Sequence, residues 1–554
     1  MGCGSVSLEA AEYAQLPADI VRRGDVEARY GETARELTSL LDPDPLNPWP
    51  FHGQQSGASL AMTAQGYERV GGAPLRPCGE DRALVRLFLE HDLPVIYSDA
   101  ARVVTSCRIK GRAAGGMADT IAARIAGDVH LCDETVEPAD TVWLRASLRA
   151  RLRGALSSPA HQAALMAEAG MTVAEIDAAP IFTGFGALWA FVEATAPRLA
   201  RHSRMTWDEM AAEAPRLEAL RDMAAAGGNP EGLLTGLIRA IADRAASAES
   251  DPEGLSWEMA WLAEAGLTQA CLPRAYGGES LAIDAARVED LFSILRRLGR
   301  ANLSVARLFE GHVNAVRLVD LYGAPAVQES VFGAVGQGAL MGVWGADGPR
   351  PLAYERNGVG LVLNGEKLFA SGLGQVGYAV VTLREAGSGE GPAELAVIDV
   401  SDPVRQDAEL WTASGMRATA SGRFRFDGLR IEADHRLGQA GDYQREPHFE
   451  GGVWRYCAAH LGGAEALVDL WRDALSSRGR LDDPLQLTRL GRAAALCRAM
   501  AACIRAAAQQ VETCDPGSES AVEIAVADVL LARQFTEEAC VEVLALAEKS
   551  LGTM

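Results

Sequence analysis

Between residues 338 and about 437 the hydrophobic pattern of this chain changes period, and after about 450 it changes back. The segments "GLVLNGEKLFA", "GYAVVTLR", "ELAVIDV" and "GRFRFDGLRI" are short, apolar and β-branched, with Asn357-Gly358 and Asp427-Gly428 supplying tight-turn chemistry between them. On either side the spacing is helical: "AARVEDLFSILRRLGRANLSVARLF" precedes the β-rich stretch, and long Ala-, Leu- and Val-rich segments follow it. In the last of these Val522, Val526, Val529 and Leu530 share one face. A sheet enclosed in sequence between two helical regions must bury its faces against them. Upstream, "DMAAAGGNPEGLL" at 222–234 is a seam of Gly, Asn and Pro between helical patterns. The chain therefore divides into a mixed, then helical, region over 1–222, a linker at 223–231, a helical domain at 232–337, a β domain at 338–440 and a second helical domain at 441–554. The expected class is multidomain α+β.

At 554 residues the chain exceeds one ordinary core, and 48% hydrophobic residues suffice for more than one. A formal charge of -22 argues against a nucleic-acid partner, since phosphates would be repelled over most of the surface. The basic run "RASLRARLR" at Arg145–Arg153 reads as the solvated face of a helix. Ten scattered cysteines have neither CxxC nor metal-type spacing, so no metal centre is expected. The opening "MGCGSVSLEAAEY" is not a signal peptide and, with Val6 where Ser or Thr is needed, misses the myristoylation pattern. No apolar run reaches membrane-spanning length, so a cytoplasmic location without membrane partners is expected.

Four words in the second half fall in a telling order: "LPRAYGGESL" at 272–281, "LNGEKLFASG" at 363–372, "GMRATASGRFRFDGLRI" at 415–431 and "RGRLDDPLQ" at 478–486. Together, over residues 232–554, they resemble the acyl-CoA dehydrogenase family. The resemblance implies a helical layer, a β-barrel-like middle domain and a C-terminal helical bundle, truncated here at "LAEKSLGTM". It implies FAD as cofactor. Phe369 and Ser371 take the places of an aromatic and a hydroxyl residue beside the flavin ring; otherwise they are a strand core residue and the start of a loop. The loop "GVWGADGPRP" keeps the glycines of the family's flavin loop but not its Thr, Glu or Ser, and its Trp344 either stacks or packs. Arg478 matches an arginine that reaches a neighbouring subunit's flavin phosphates, which implies a homo-oligomer, although Leu481-Asp482 stand where the family has Phe-Gly.

Dehydrogenation of an acyl thioester also needs a base for the α-proton, a Glu in that family. In "HFEGGVWRYCAAHLGGAEAL" the nearest carboxylate is Glu450, while Gly452 occupies the expected register. Three functions follow: an FAD-dependent oxidoreductase acting on the CH–CH bond of an acyl-CoA-type thioester or other hydrophobic small molecule, its electron acceptor open; a flavin-dependent monooxygenase of the same fold, which needs no such base; and an inactive fusion. His312 and His460 read as packed helix residues.

The leading half carries "PWPFHGQQSGASLAMTAQGYERVGG", "CGEDRALVRLFLEHDLPVIYS" and "VVTSCRIKGRAAGGMAD". These are similar to the later part of family 2 glycosyltransferases, a GT-A-like fold, and the resemblance makes Asp81 of Glu80-Asp81 the acceptor base. The same residues also make a dipole-matched helix start. With no preceding donor half or Asp-x-Asp metal site, the expectation is a vestigial, acceptor-side remnant without transfer activity.

Overall fold

The computed structural model describes residues 1–76, 78–109, 116–127, 131–182, 184–200, 203–226, 230–251, 254–358, 360–388 and 391–552. Its contacts divide the chain into two compact units, Met1–Gly236 and Leu237–Met554. Gly227, Gly228 and Asn229 of the sequence seam, and the 110–115 part of the third glycosyltransferase-like word, lie outside the described residues. A helix ends at Ala225 and the next begins at Pro230, a residue preorganised for a first helical turn.

In the first unit, β1 (Gly2–Leu8) is the centre of a three-stranded sheet, antiparallel to β2 (Leu60–Ala61) and parallel to β3 (Ile96–Thr105). "LPVIYS" and "ARVVTSC" are thus not two strands but parts of one. Their pairing with β1 is broken between Gly4↔Ser98 and Val6↔Val103, so the residues between bulge out of register. The unit's helices include α1 (Ala18–Leu41), α2 (Glu80–Glu90), α3 (Ala139–Gly154) and α4 (Trp207–Ala225). Cys3, Val70, Leu84, Val85, Phe88 and Val95 form the core beneath the sheet. The arginine run on α3 is solvated in part, with Arg153 exposed, but every arginine in it is ion-paired. Arg145 pairs with Glu137 at 2.7 Å and Glu193 at 2.5 Å, Arg149 and Arg153 with Asp42, and Arg151 with Glu168, while Leu148 and Leu152 are fully buried. The sequence reading of a solvated face holds in part; it lacked the ion pairs because those acids come from four separate places along the chain.

The second unit has the helix–sheet–helix order expected of it. Helix α5 (Val288–Ala301) buries Leu291, Ile294, Leu295 and Leu298, a stripe at helical spacing. Asn302 caps α6 (Leu303–Tyr322), accepting from the Ser304 and Val305 amides at 2.8 and 3.4 Å. The β region is two sheets. One has seven strands: β4 (Leu340–Trp344), β5 (Ala353–Asn357), β6 (Gly360–Asn364), β8 (Val376–Glu385), β9 (Glu394–Asp399), β12 (Leu429–Glu432) and β13 (Arg436–Leu437). The other has three, in the order β10 (Gln406–Asp407), β11 (Gly422–Arg425) and β7 (Glu366–Ala370). Asn357 and Gly358 (φ +64°) turn β5 into β6. Asp427-Gly428 instead hands the chain from one sheet to the other, and Asp427 also ties Arg350 and the Gly365 amide.

Three helices close the unit: α7 (Trp454–Ser477), α8 (Pro484–Thr513) and α9 (Glu519–Leu551). Val526 and Val529 of the predicted apolar face on α9 are buried, and Val522 and Leu530 are half-buried. Where α5 crosses α7, the backbones touch through glycine: a Cβ on Gly299 would collide with the Ala459 carbonyl, and one on Gly462 with the Arg296 carbonyl. Among the described residues no helix is long and apolar enough to cross a membrane.

Candidate functional site

Strand β7 is exposed at one residue. Glu366, Lys367 and Ala370 are buried, whereas Phe369 is 63% exposed. The cause is a bulge: β11 pairs Arg423 with Leu368 and Gly422 with Ala370, leaving Phe369 without a partner, at φ +51°. A bulge re-aims a side chain, and a left-handed phenylalanine is strained, so something outside the strand's own packing keeps the ring pointing outward. The edge of Trp411 meets it, ring centres 6.4 Å apart.

Around Phe369 the backbone is strained twice more. Met416 (φ +55°) and Ala420 (φ +43°) flank the short turn Arg417–Thr419. That turn aims three hydroxyls into a row: Ser371 lies 2.8 Å from Ser421, Ser421 lies 2.8 Å from Thr419, and Thr419 donates to the Met416 carbonyl at 2.8 Å. The same carbonyl accepts from the Trp411 indole at 2.9 Å.

Trp344, at the end of β4, forms the wall behind this group. It is 2% exposed, donates from Nε1 to the Ser371 carbonyl at 3.0 Å and lies against Phe424. Of the two readings of Trp344, the geometry here is that of a packed residue. The loop after it is held by Lys367, whose fully buried ammonium donates to the Gly345 carbonyl at 3.2 Å, Asp347 at 2.6 Å and Thr382 at 2.7 Å. Burial pushes this ammonium down and Asp347 opposes the shift. Glu366 supports the same loop, its carbonyl accepting from the Gly348 amide at 3.2 Å.

A Cβ on Gly345 would stand 3.4 Å from the hydroxyl of Tyr443, in the short turn Asp442–Gln444. Helices α6, α7 and α8 meet through ions. Arg455 on α7 is 3% exposed and pairs with Glu512 on α8 at 2.5 Å; Glu512 also pairs with Arg317 on α6 at 2.7 Å and accepts from Trp454 at 3.1 Å. Glu310 on α6, 4% exposed, is held by Arg307 and Asn314. His312 is fully buried and pins α6 to the sheet: its Nδ1 accepts from the Met341 amide at 3.0 Å, so Nε2 carries the proton toward the Thr268 carbonyl at 3.0 Å. Burial pushes it down to about 4. Burial also lowers His460.

The structure therefore groups Trp344, Phe369 and Ser371, and adds Trp411, Thr419, Ser421 and Lys367. Thr419 and Ser421 stand within "GMRATASGRF", where only the row they form with Ser371 marks them. Lys367, an ionisable residue at an inward strand position, was the one detectable signal. Glu450 is not in the group: it is exposed in a short turn, its amide donating to Glu446 at 2.9 Å. Arg478 is exposed just beyond α7, with a long 3.5 Å bond to the Leu551 carbonyl near the end of α9. In the first unit, Asp81 sits in the first turn of α2 and accepts from the Gly57 amide at 2.7 Å.

No protein-family model matches the chain. A dibenzothiophene monooxygenase of Rhodococcus erythropolis is 26% identical over 240 residues, 40% of this chain and 55% of that protein. Another from the same species is 24% identical over 336 residues, 54% of this chain and 77% of the relative. The chain thus spans about half the length of the first curated relatives it matches. Among solved structures, indole-bound TdsC from Paenibacillus sp. A11-2 superposes with a TM-score of 0.50 at 20% identity, covering 59% of this chain and 87% of that one. Methanesulfinate monooxygenase MsuC from Pseudomonas fluorescens gives 0.50 at 19%, covering 57% and 85%. KijD3 in complex with dTDP gives 0.51 at 20%, covering 59% and 87%. The second unit has an acyl-CoA-dehydrogenase-like fold. The proteins it resembles include monooxygenases.

Proposed function

We propose that this chain is a flavin-dependent monooxygenase acting on a small organic molecule with an oxidisable sulfur or nitrogen. The observation that carries this reading is the match to dibenzothiophene monooxygenases.

A flavin fits the residues present. An exposed, strained Phe369 beside Trp411 offers a flat apolar contact, Ser371 offers a polar one at its edge, and Trp344 backs both. A bound flavin would supply two-electron chemistry with dioxygen. The chain's part is to hold the ring, to fix the loop at 345–351 through Lys367, and to exclude water beneath the ionic seam of α6, α7 and α8. TdsC has been solved with FMN, which supports FMN as readily as FAD here. Arg478 would serve the phosphate of a flavin in a second copy, as the resemblance implies.

The first unit we read as a glycosyltransferase-like remnant without transfer activity, Asp81 serving as a first-turn helix acid that holds the Gly57 amide. The test is spectroscopic and then chemical. Purified protein is expected to show flavin absorbance or to acquire it with added FMN, and to convert dibenzothiophene or indole, with reduced FMN and oxygen, to a product heavier by one oxygen atom. Colourless, well-folded protein that takes up no flavin would sink the proposal. Bleaching of bound flavin by an acyl-CoA without oxygen would return the reading to thioester oxidation.

A further inference from the structure

The row of hydroxyls at the slot has a fixed direction. It ends on the Met416 carbonyl, which can only accept, so the hydroxyl 2.8 Å from it must be the donor. Thr419 therefore spends its one hydroxyl proton on Met416. Toward Ser421, 2.8 Å away, it can only accept. Ser421 spends its proton on Thr419 and can in turn only accept from Ser371 at 2.8 Å. The other acceptor within reach of Ser371, the Phe369 carbonyl, stands at 3.5 Å, beyond a sound O–H···O bond. Ser371 is left with lone pairs, and no proton, on its open side. The left-handed residues Met416 and Ala420 fix the turn that imposes this order.

Resting on the flavin reading, we propose that Thr419 and Ser421 are positioning residues that make Ser371 an obligate hydrogen-bond acceptor, so that the slot favours reduced over oxidised flavin. The chemistry is simple. The central ring of a reduced flavin carries an N–H where the oxidised ring has only a lone pair. An acceptor opposite that atom stabilises the first and repels the second. A hydrogen bond gained in one state and lost in the other corresponds to about a tenfold change in relative affinity. Ser371 would touch the ring, while Thr419 and Ser421 would act on it only through Ser371.

The experiment measures dissociation constants of oxidised FMN and of dithionite-reduced FMN, without oxygen, on the full chain and three variants. Wild type is expected to prefer reduced FMN. Ser371→Ala, which offers neither lone pair nor proton, should bring the preference down. Ser421→Ala returns the proton of Ser371 to the slot, and the ratio of oxidised to reduced constants should fall further, about tenfold or more below wild type. Thr419→Val, nearly isosteric, deprives Ser421 of its acceptor and turns its proton back to Ser371; it should move the ratio the same way, and serves if Ser421→Ala folds poorly. A purely structural row would weaken both forms equally. An unchanged or raised ratio in Ser421→Ala and Thr419→Val, with flavin still bound, overturns this proposal alone. A wild-type protein that binds neither form overturns it together with the monooxygenase reading.

Discussion

At the scale of single residues the site is marked by cost. Phe369 is held left-handed and 63% exposed, two features a fold removes unless the position is used. Phe369→Gly is expected to raise unfolding stability by about 1 kcal/mol through relief of the backbone, and to lower flavin affinity; denaturant titration and flavin titration measured side by side check both signs. His312 makes a different statement. It is buried and neutral between an amide and a carbonyl, pushed down to about 4 from an ordinary value near 6.5 in the unfolded chain. The unfolded chain binds the proton first, so the stability from this group is full above about pH 6.5 and is lost as pH falls toward 4. That amounts to about 3 kcal/mol. The pH slope of unfolding free energy across this window is expected to be shallower in His312→Gln than in wild type; equal slopes would remove His312 from the account.

Helices and strands are placed by contacts that tolerate little change. Helices α5 and α7 approach through Gly299 and Gly462, and a methyl group at Gly462 meets the Arg296 carbonyl. Gly462→Ala must separate the helices and is expected to cost about 2 kcal/mol or more, read as a lowered denaturation midpoint at unchanged slope. At the start of α7, Arg455 and Glu512 join it to α8, with Arg317 from α6 as a third member. Glu512→Gln leaves two nearly buried guanidinium groups facing each other and is expected to cost about 3 kcal/mol. Adding Arg455→Met should recover part of that loss, and a double-mutant cycle that shows no coupling would mean the ions do not join these helices.

For the whole molecule the useful fact is the division into Met1–Gly236 and Leu237–Met554. If the flavin slot belongs wholly to the second unit, ligand binding stabilises that unit by mass action, about 2.7 kcal/mol at a hundredfold excess over the dissociation constant. Scanning calorimetry of the full chain is expected to resolve two transitions, with FMN raising one and leaving the other in place. A shift of both transitions by FMN would overturn the assignment of the slot to the second unit.

The order of helices, sheet and helices was readable from the sequence because burial imposes a period of 3.6 on one and 2 on the other, and that signal is local. Asn357-Gly358 was readable for the same reason, a turn being decided by two residues. Phe369 and Ser371 could be placed only by resemblance, and nothing local foretold that a bulge would leave one without a strand partner and that a row of hydroxyls would set the proton of the other. The arginines of α3 looked solvated because their partners, Asp42, Glu137, Glu168 and Glu193, come from scattered positions. Sequence alone fixes what each segment can become, since propensity and period act within a few residues. Which side chains share a site, and which atom of a serine faces a ligand, depend on contacts between residues far apart in the chain, and only the folded structure brings those together.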